Sequence, residues 1–124
     1  MGLDLQRINV GYLLGRFLAV ADSIQRYSIG HQPNRSYSDC YRASLGSTPR
    51  YVFKDIADKA SAHLAKLQKI KPGLKVVLDK EYSEIINMIS DIPVILSLED
   101  QMEFVLGYQH QHQANFNTST KETA

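Results

Sequence analysis

Two histidines, His110 and His112, close the stretch "LSLEDQMEFVLGYQHQHQ" at residues 96–113, and imidazole is the commonest protein ligand for a transition metal. Helical metal pairs stand four residues apart on one face. These two stand two apart and so point to different sides of a helix. No cysteine or further histidine lies nearby in sequence, and the single cysteine, Cys40, can form neither an internal disulfide nor a cysteine-based zinc site. The two imidazoles read as solvent-facing groups, and no metal is expected.

The other residue types that could do chemistry point the same way. His63 falls at the edge of an apolar stripe, where a half-buried, hydrogen-bonded imidazole is expected rather than a general base. Carboxylate pairs occur at Asp55/Asp58, Glu81/Glu84 and Glu99/Glu103, each on one helical face. Acid–base work needs one member buried and shifted, whereas these pairs stand beside lysines and polar residues, as solvated faces do. Cys40 sits among Ser, Asp and Tyr with no histidine placed to activate it. No G-x-x-x-x-G-K-[ST], G-x-G-x-x-G or H-E-x-x-H occurs. Catalytic residues, cofactors and enzymatic activity are therefore not expected.

Charge is more informative. The net value of +1 hides a segregation: residues 35–75 carry nine basic side chains against three acidic, and residues 76–124 carry two against eight. Such asymmetry implies either an electrostatic partner for the basic part or mutual attraction of the two parts within the fold. Arg50, Lys54, Lys59, Lys66 and Lys69 fall on the polar arc of one helical segment, with Arg42 and Lys71 flanking it and Tyr37, Tyr41 and Tyr51 close by. That mixture suits a phosphate backbone and stacked bases. Base-specific reading is not expected, because "IADKASAHLAKL" lacks the short glycine-containing turn of a helix-turn-helix.

Four amphipathic helices must position these groups. "VGYLLGRFLAVADSIQRY" places Val10, Leu13, Leu14, Phe17, Leu18, Ala21 and Ile24 at helical spacing, with Gly11, Gly15, Ala19 and Ser23 four apart as a ridge of small side chains. Mid-helix glycines cost about 1 kcal/mol each, so the ridge implies a close neighbour. "RSYSDCYRASLGS" has room for a short helix inside a loop. A long helix follows, with Thr48 as N-cap, Pro49 in its first turn and Val52, Phe53, Ile56, Ala60, Leu64 and Leu67 inward. The next carries Leu78, Tyr82, Ile85 and Ile89 inward, with Glu81 and Glu84 outward. The last is capped by Ser97 and Asp100, with Leu98, Met102, Val105 and Tyr108 as its buried stripe and Phe104 beside it.

The expected fold is thus all-α: one bundle of about four long helices plus a short one over residues 1–113, with a disordered tail at 114–124. No apolar run spans a membrane and no secretion signal is visible. A cytoplasmic protein is the expectation.

"YLLGRFLAV", "STPRYVF" with "HLAKL", and above all "LSLEDQMEFVLGYQHQ" occur here in one order, and together they resemble the C-terminal helical region of the large subunit of type I-C CRISPR Cascade effectors. The resemblance runs over roughly residues 10–113. It departs from the family pattern at Asp39, Cys40, Tyr41 and Arg42, and at Gln109. A chain holding only this region, beginning at its own Met1, looks like that effector's separate small subunit. The resemblance implies a non-catalytic bundle in more than one copy, contacting the backbone and large subunits, another copy of itself, the guide RNA complex and the displaced single-stranded DNA of the R-loop. From a different class, the rival expectation is a helical protein–protein adaptor without nucleic-acid contact.

Overall fold

A computed structural model describes residues 2–31 and 33–123, with side chains in the last helix only as far as Asn115. Its helices are α1 (Val10–Ile29), α2 (Tyr37–Leu45), α3 (Phe53–Ile70), α4 (Pro72–Met88) and α5 (Leu98–Thr123), with a 3-10 turn at Pro49–Tyr51 and no strand among the described residues. Four long helices and one short one form an all-α bundle, as the periodicity predicts.

The organising element is α1. Every residue from Gly11 to Ala21 is buried, and the helix packs against each of the other four. A helix apolar nearly all round belongs inside a bundle, and this sequence is too rich in Leu, Val, Phe and Ala to leave a solvent face. Asn9 caps it by accepting from the Gly11 and Tyr12 amides, and Gly30 ends it at φ 92°, a left-handed conformation that costs glycine little.

The small-residue ridge meets α5. A Cβ added at Gly11 would overlap the Asp100 carbonyl, one at Gly15 the Phe104 carbonyl, and one at Gly107 the Tyr12 carbonyl. Two helix backbones therefore touch along this seam. Asn115 extends it by donating to the Ala19 carbonyl and to Ser23 Oγ. Elsewhere Phe17 stacks on Phe53 at 4.5 Å and lies 5.7 Å from Tyr82, joining α1, α3 and α4.

Three local expectations need correction. Thr48 caps no helix: its hydroxyl donates to the Ser44 carbonyl, Pro49 opens the 3-10 turn, and α3 starts only at Phe53. Glu81 faces inward, held by Gln111. The largest change is on α5, where Leu98 is 80 % exposed, Met102 71 % and Val105 53 %, while Phe104 and Gln111 are buried. Periodicity located an apolar stripe but not what covers it. Backbone contact at Gly107 turns a different face toward α1, leaving Tyr108 half-buried and the other three outside. The helix continues beyond Gln113, where the bundle was expected to end. Of the tail expected at 114–124, the side chains of residues 116–123 and all of Ala124 lie outside the described residues.

Candidate nucleic-acid interface

The inward stripe of α3 (Ile56, Ala60, Leu64, Leu67) forces its polar residues outward. At about 100° per residue, Lys59, Lys66 and Lys69 fall within an arc of roughly 80°, and Lys54, roughly 60° beyond Lys69, widens it to about 140°. Of the seven basic residues singled out from sequence, these four share the outer side of α3, and Arg42, Arg50 and Lys71 lie outside that helix. Arg42 lies on α2 with its guanidinium 4.4 Å from the centre of the Tyr108 ring. Arg50 donates from Nε to the Ile92 carbonyl and braces the connector between α4 and α5.

Pairing divides the lysines further. Lys54 is bridged to Asp58 at 2.8 Å, one turn along. Lys59 lies 3.5 Å from Asp55 and donates to the Tyr41 hydroxyl, which itself donates to Asp55. That hydroxyl, with Lys59, holds the Asp55 carboxyl below its usual range, while Tyr41 foremost and then Asp55 raise Lys59. Exposed pairs of this kind contribute little stability, typically under about 1 kcal/mol. They do reduce the charge each lysine presents to a partner.

Lys66 and Lys69 are exposed and have no hydrogen-bond or ion-pair partner among the described residues. Lys71 follows, 5.9 Å from the Tyr27 ring centre, and Arg26 covers the same ring at 5.0 Å. His63 Nδ1 shares a 2.8 Å hydrogen bond with Ser28 Oγ and ties the end of α1 to the middle of α3. Burial, with Lys66 nearby, keeps the imidazole below its ordinary pKa. Tyr37 lies between His63 and Tyr41, with ring centres 6.1 and 6.5 Å away, and burial pushes its phenol up to about 12. The resulting strip has Lys59 on the Tyr41 ring at one end and Lys71 and Arg26 on the Tyr27 ring at the other, with His63 and Lys66 between them along α3. Sequence reasoning missed Arg26 and Tyr27. The adjacent basic and aromatic residues of "QRY", just before the Gly30 stop, were the available signal.

The residues first weighed for other chemistry take mostly structural places. His110 Nδ1 contacts the Tyr12 hydroxyl at 2.9 Å and is half-buried rather than solvent-facing. His112 is exposed and stacks on Tyr108. No group of three or more metal-capable side chains exists among the described residues. Cys40 is exposed on α2. Arg16, buried in the seam, donates to Gln111, which donates to Glu81. Burial raises the Glu81 carboxyl while Arg16 pulls it the other way.

The four ion pairs among the described residues are Arg7–Glu103, Lys54–Asp58, Lys59–Asp55 and Lys75–Asp79. Only Lys75–Asp79, within α4, joins the basic segment to the acidic one. Direct pairing across the fold does not explain the charge segregation.

These features define an all-α bundle whose unpaired cations line one side of α3 and whose last helix leaves an apolar face uncovered. The chain belongs to the CRISPR-associated protein family Cas_Csd1, whose family model matches residues 1–116. No curated protein matches it. No helix among the described residues is long and apolar enough to cross a membrane.

Proposed function

We propose that this chain is the non-catalytic small subunit of a type I-C CRISPR Cascade effector, acting in the cytoplasm and holding nucleic acid through sequence-independent backbone contacts. Lys66 and Lys69, exposed and unpaired near the end of α3, carry the reading, with Lys71 and Arg26 on the Tyr27 ring supporting it. Lysine on a flexible stem reads phosphate as a point charge and carries no base information. R-loop formation exchanges one duplex for another at nearly balanced free energy, so a few such contacts can tip it. Guide pairing holds the displaced strand nearby, which makes weak contacts effectively intramolecular.

The adaptor reading also has an observation behind it, the exposed Leu98, Met102 and Val105 face of α5. Exposed apolar faces of this kind mark protein contacts. We assign them to docking on the effector's protein subunits or on another copy of the chain, away from the cationic strip.

The test is R-loop yield in purified effector complexes carrying wild-type or Lys66→Glu/Lys69→Glu/Lys71→Glu chain across a salt series. Reduced yield at unchanged subunit stoichiometry is expected, most of all on relaxed DNA. Equal yields would remove the DNA-holding role, and loss of the subunit would favour the adaptor.

A further inference from the structure

Between the second half of α1, the start of α2 and α5 lies a cleft of about 430 Å³, within the range of roughly 300–1,000 Å³ typical of small-ligand sites. Its floor is Asp22. One carboxylate oxygen accepts from the Ser38 amide at 3.0 Å; the other accepts from Ser38 Oγ at 2.6 Å and from the Tyr108 hydroxyl at 3.0 Å. No cation pairs with Asp22 among the described residues. Burial raises this carboxyl even though three hydrogen bonds pull it down.

The donor inventory decides what fits. The hydroxyl protons of Ser38 and Tyr108 and the Ser38 amide are already spent on Asp22, and the Asn115 amide is spent on Ser23 and Ala19. Ser38 Oγ also lies 3.1 Å from both the Tyr108 hydroxyl and Ser36 Oγ, so the spare capacity of the floor is the remaining lone pairs of the Asp22 carboxylate and the Tyr108 hydroxyl, with Asp39 a second carboxylate in the lining. A guest that reaches Asp22 therefore gains most by bringing a donor. One wall supplies an aromatic surface: His112 lies parallel to Tyr108 with ring centres 5.7 Å apart and an interplanar angle of 9°. Arg26, which also belongs to the cationic strip, lines the cleft without an ion-pair partner among the described residues.

We propose that this cleft receives a single unstacked nucleobase bearing an exocyclic amine, adenine, cytosine or guanine, from a strand held on the cationic strip. The amine donates to the acceptor-rich floor, the base lies against His112, and its phosphate meets Arg26. A basic side chain from a partner protein would also donate to Asp22, but Arg26 disfavours it and it leaves the aromatic wall unused. Thymine carries no exocyclic amine and brings only its ring N3–H, flanked by two carbonyls, so it can make fewer bonds to the floor. The inference rests on the nucleic-acid reading above and adds a base preference to it.

Mononucleotides test the cleft without the strip. Amide spectra of the full-length ¹⁵N-labelled chain are recorded during titration with dCMP, dAMP and dTMP, and with N-acetyl-arginine amide as the basic-side-chain probe. Shifts are expected at Asp22, Ser38 and Tyr108, with dCMP and dAMP binding about fivefold tighter than dTMP, the worth of one hydrogen bond. Asp22→Asn should erase that preference. His112→Ala, at an exposed position that folding does not need, should weaken all three nucleotides together. Equal affinities for the three nucleotides, shifts confined to other surfaces, or saturation by the arginine probe alone would overturn the proposal. Single-stranded oligonucleotides run in parallel on Lys66→Glu/Lys69→Glu chain separate the two readings. Salt-dependent binding lost in that variant, with an inert cleft, leaves the strip standing and the base pocket refuted.

Discussion

At the scale of single residues, Gly15 shows how far a missing methyl group reaches. Replacing glycine by alanine in a helix ordinarily gains about 1 kcal/mol. Here the new Cβ would meet the Phe104 carbonyl and the Tyr108 amide, backbone atoms that cannot move without prying α5 from α1. Overpacking of this kind costs about 1–3 kcal/mol or more, so Gly15→Ala should destabilise the chain. Gly73, with nothing within 4 Å of its virtual Cβ, is the control, and Gly73→Ala should be neutral or stabilising. Urea melts of both variants decide it, and a stabilised Gly15→Ala would show that the seam is looser than drawn. His63 offers a second residue-scale test. Its folded pKa lies below the ordinary 6.5, so the unfolded chain binds the proton more readily and His63 works against folding as pH falls below about 6.5. His63→Asn keeps an acceptor for Ser28 without the titration. Wild type should therefore lose stability relative to this variant between neutral and mildly acidic pH, and parallel curves would contradict the shift. The glycine ridge was legible in the sequence because its four-residue spacing has few other causes. Arg16 and Glu81 were not, since their burial depends on Gln111 reaching in from a helix 95 residues away from Arg16.

At the scale of helices, α1 and α5 mark the two limits of sequence reading. α1 is apolar on so many sides that any packing buries it, and its extent follows from Asn9 and Gly30. α5 carries an equally regular apolar stripe, yet backbone contact at Gly107 fixes its rotation and sends that stripe outward. Spacing reports that a face exists; only the partner decides whether it is inside. The consequence is a separation of stability from assembly. Leu98→Ser, Met102→Ser and Val105→Thr should each change the stability of the isolated chain by no more than about 0.5 kcal/mol, as surface substitutions do. Phe104→Ala, on the buried side of the same helix, should cost about 3–5 kcal/mol. Combining the three exposed changes should nevertheless lower the amount of chain retained in a purified effector complex. Retention at wild-type stoichiometry would mean that this face meets no protein.

At the scale of the whole molecule, the segregation of charge was visible in the sequence, but its useful part was not. Helical spacing puts Arg50, Lys54, Lys59, Lys66 and Lys69 on one arc; the fold divides it into cations held by carboxylates or carbonyls and cations left open. The division depends on i, i+4 aspartates and on Tyr41 arriving from α2, and the latter is a tertiary fact. It leads to a comparison in which every variant removes the same formal charge. Lys54→Gln/Lys59→Gln and Lys66→Gln/Lys69→Gln each lower the net charge by two, so any effect of overall charge is common to both. Binding of single-stranded DNA to the effector is measured over a salt series for each. A lysine that meets phosphate contributes about 0.7 to the logarithmic salt slope on a single strand, so losing Lys66 and Lys69 should flatten the slope by about 1.4. Lys54 and Lys59 already share their charge with Asp58 and Asp55, and their loss frees those carboxylates rather than a phosphate. A smaller slope change is expected there, with any loss of affinity arising from the newly unpaired aspartates. Equal flattening in the two variants would show that the local pairs break when DNA arrives and that the whole outer arc of α3, not its far half, meets the strand.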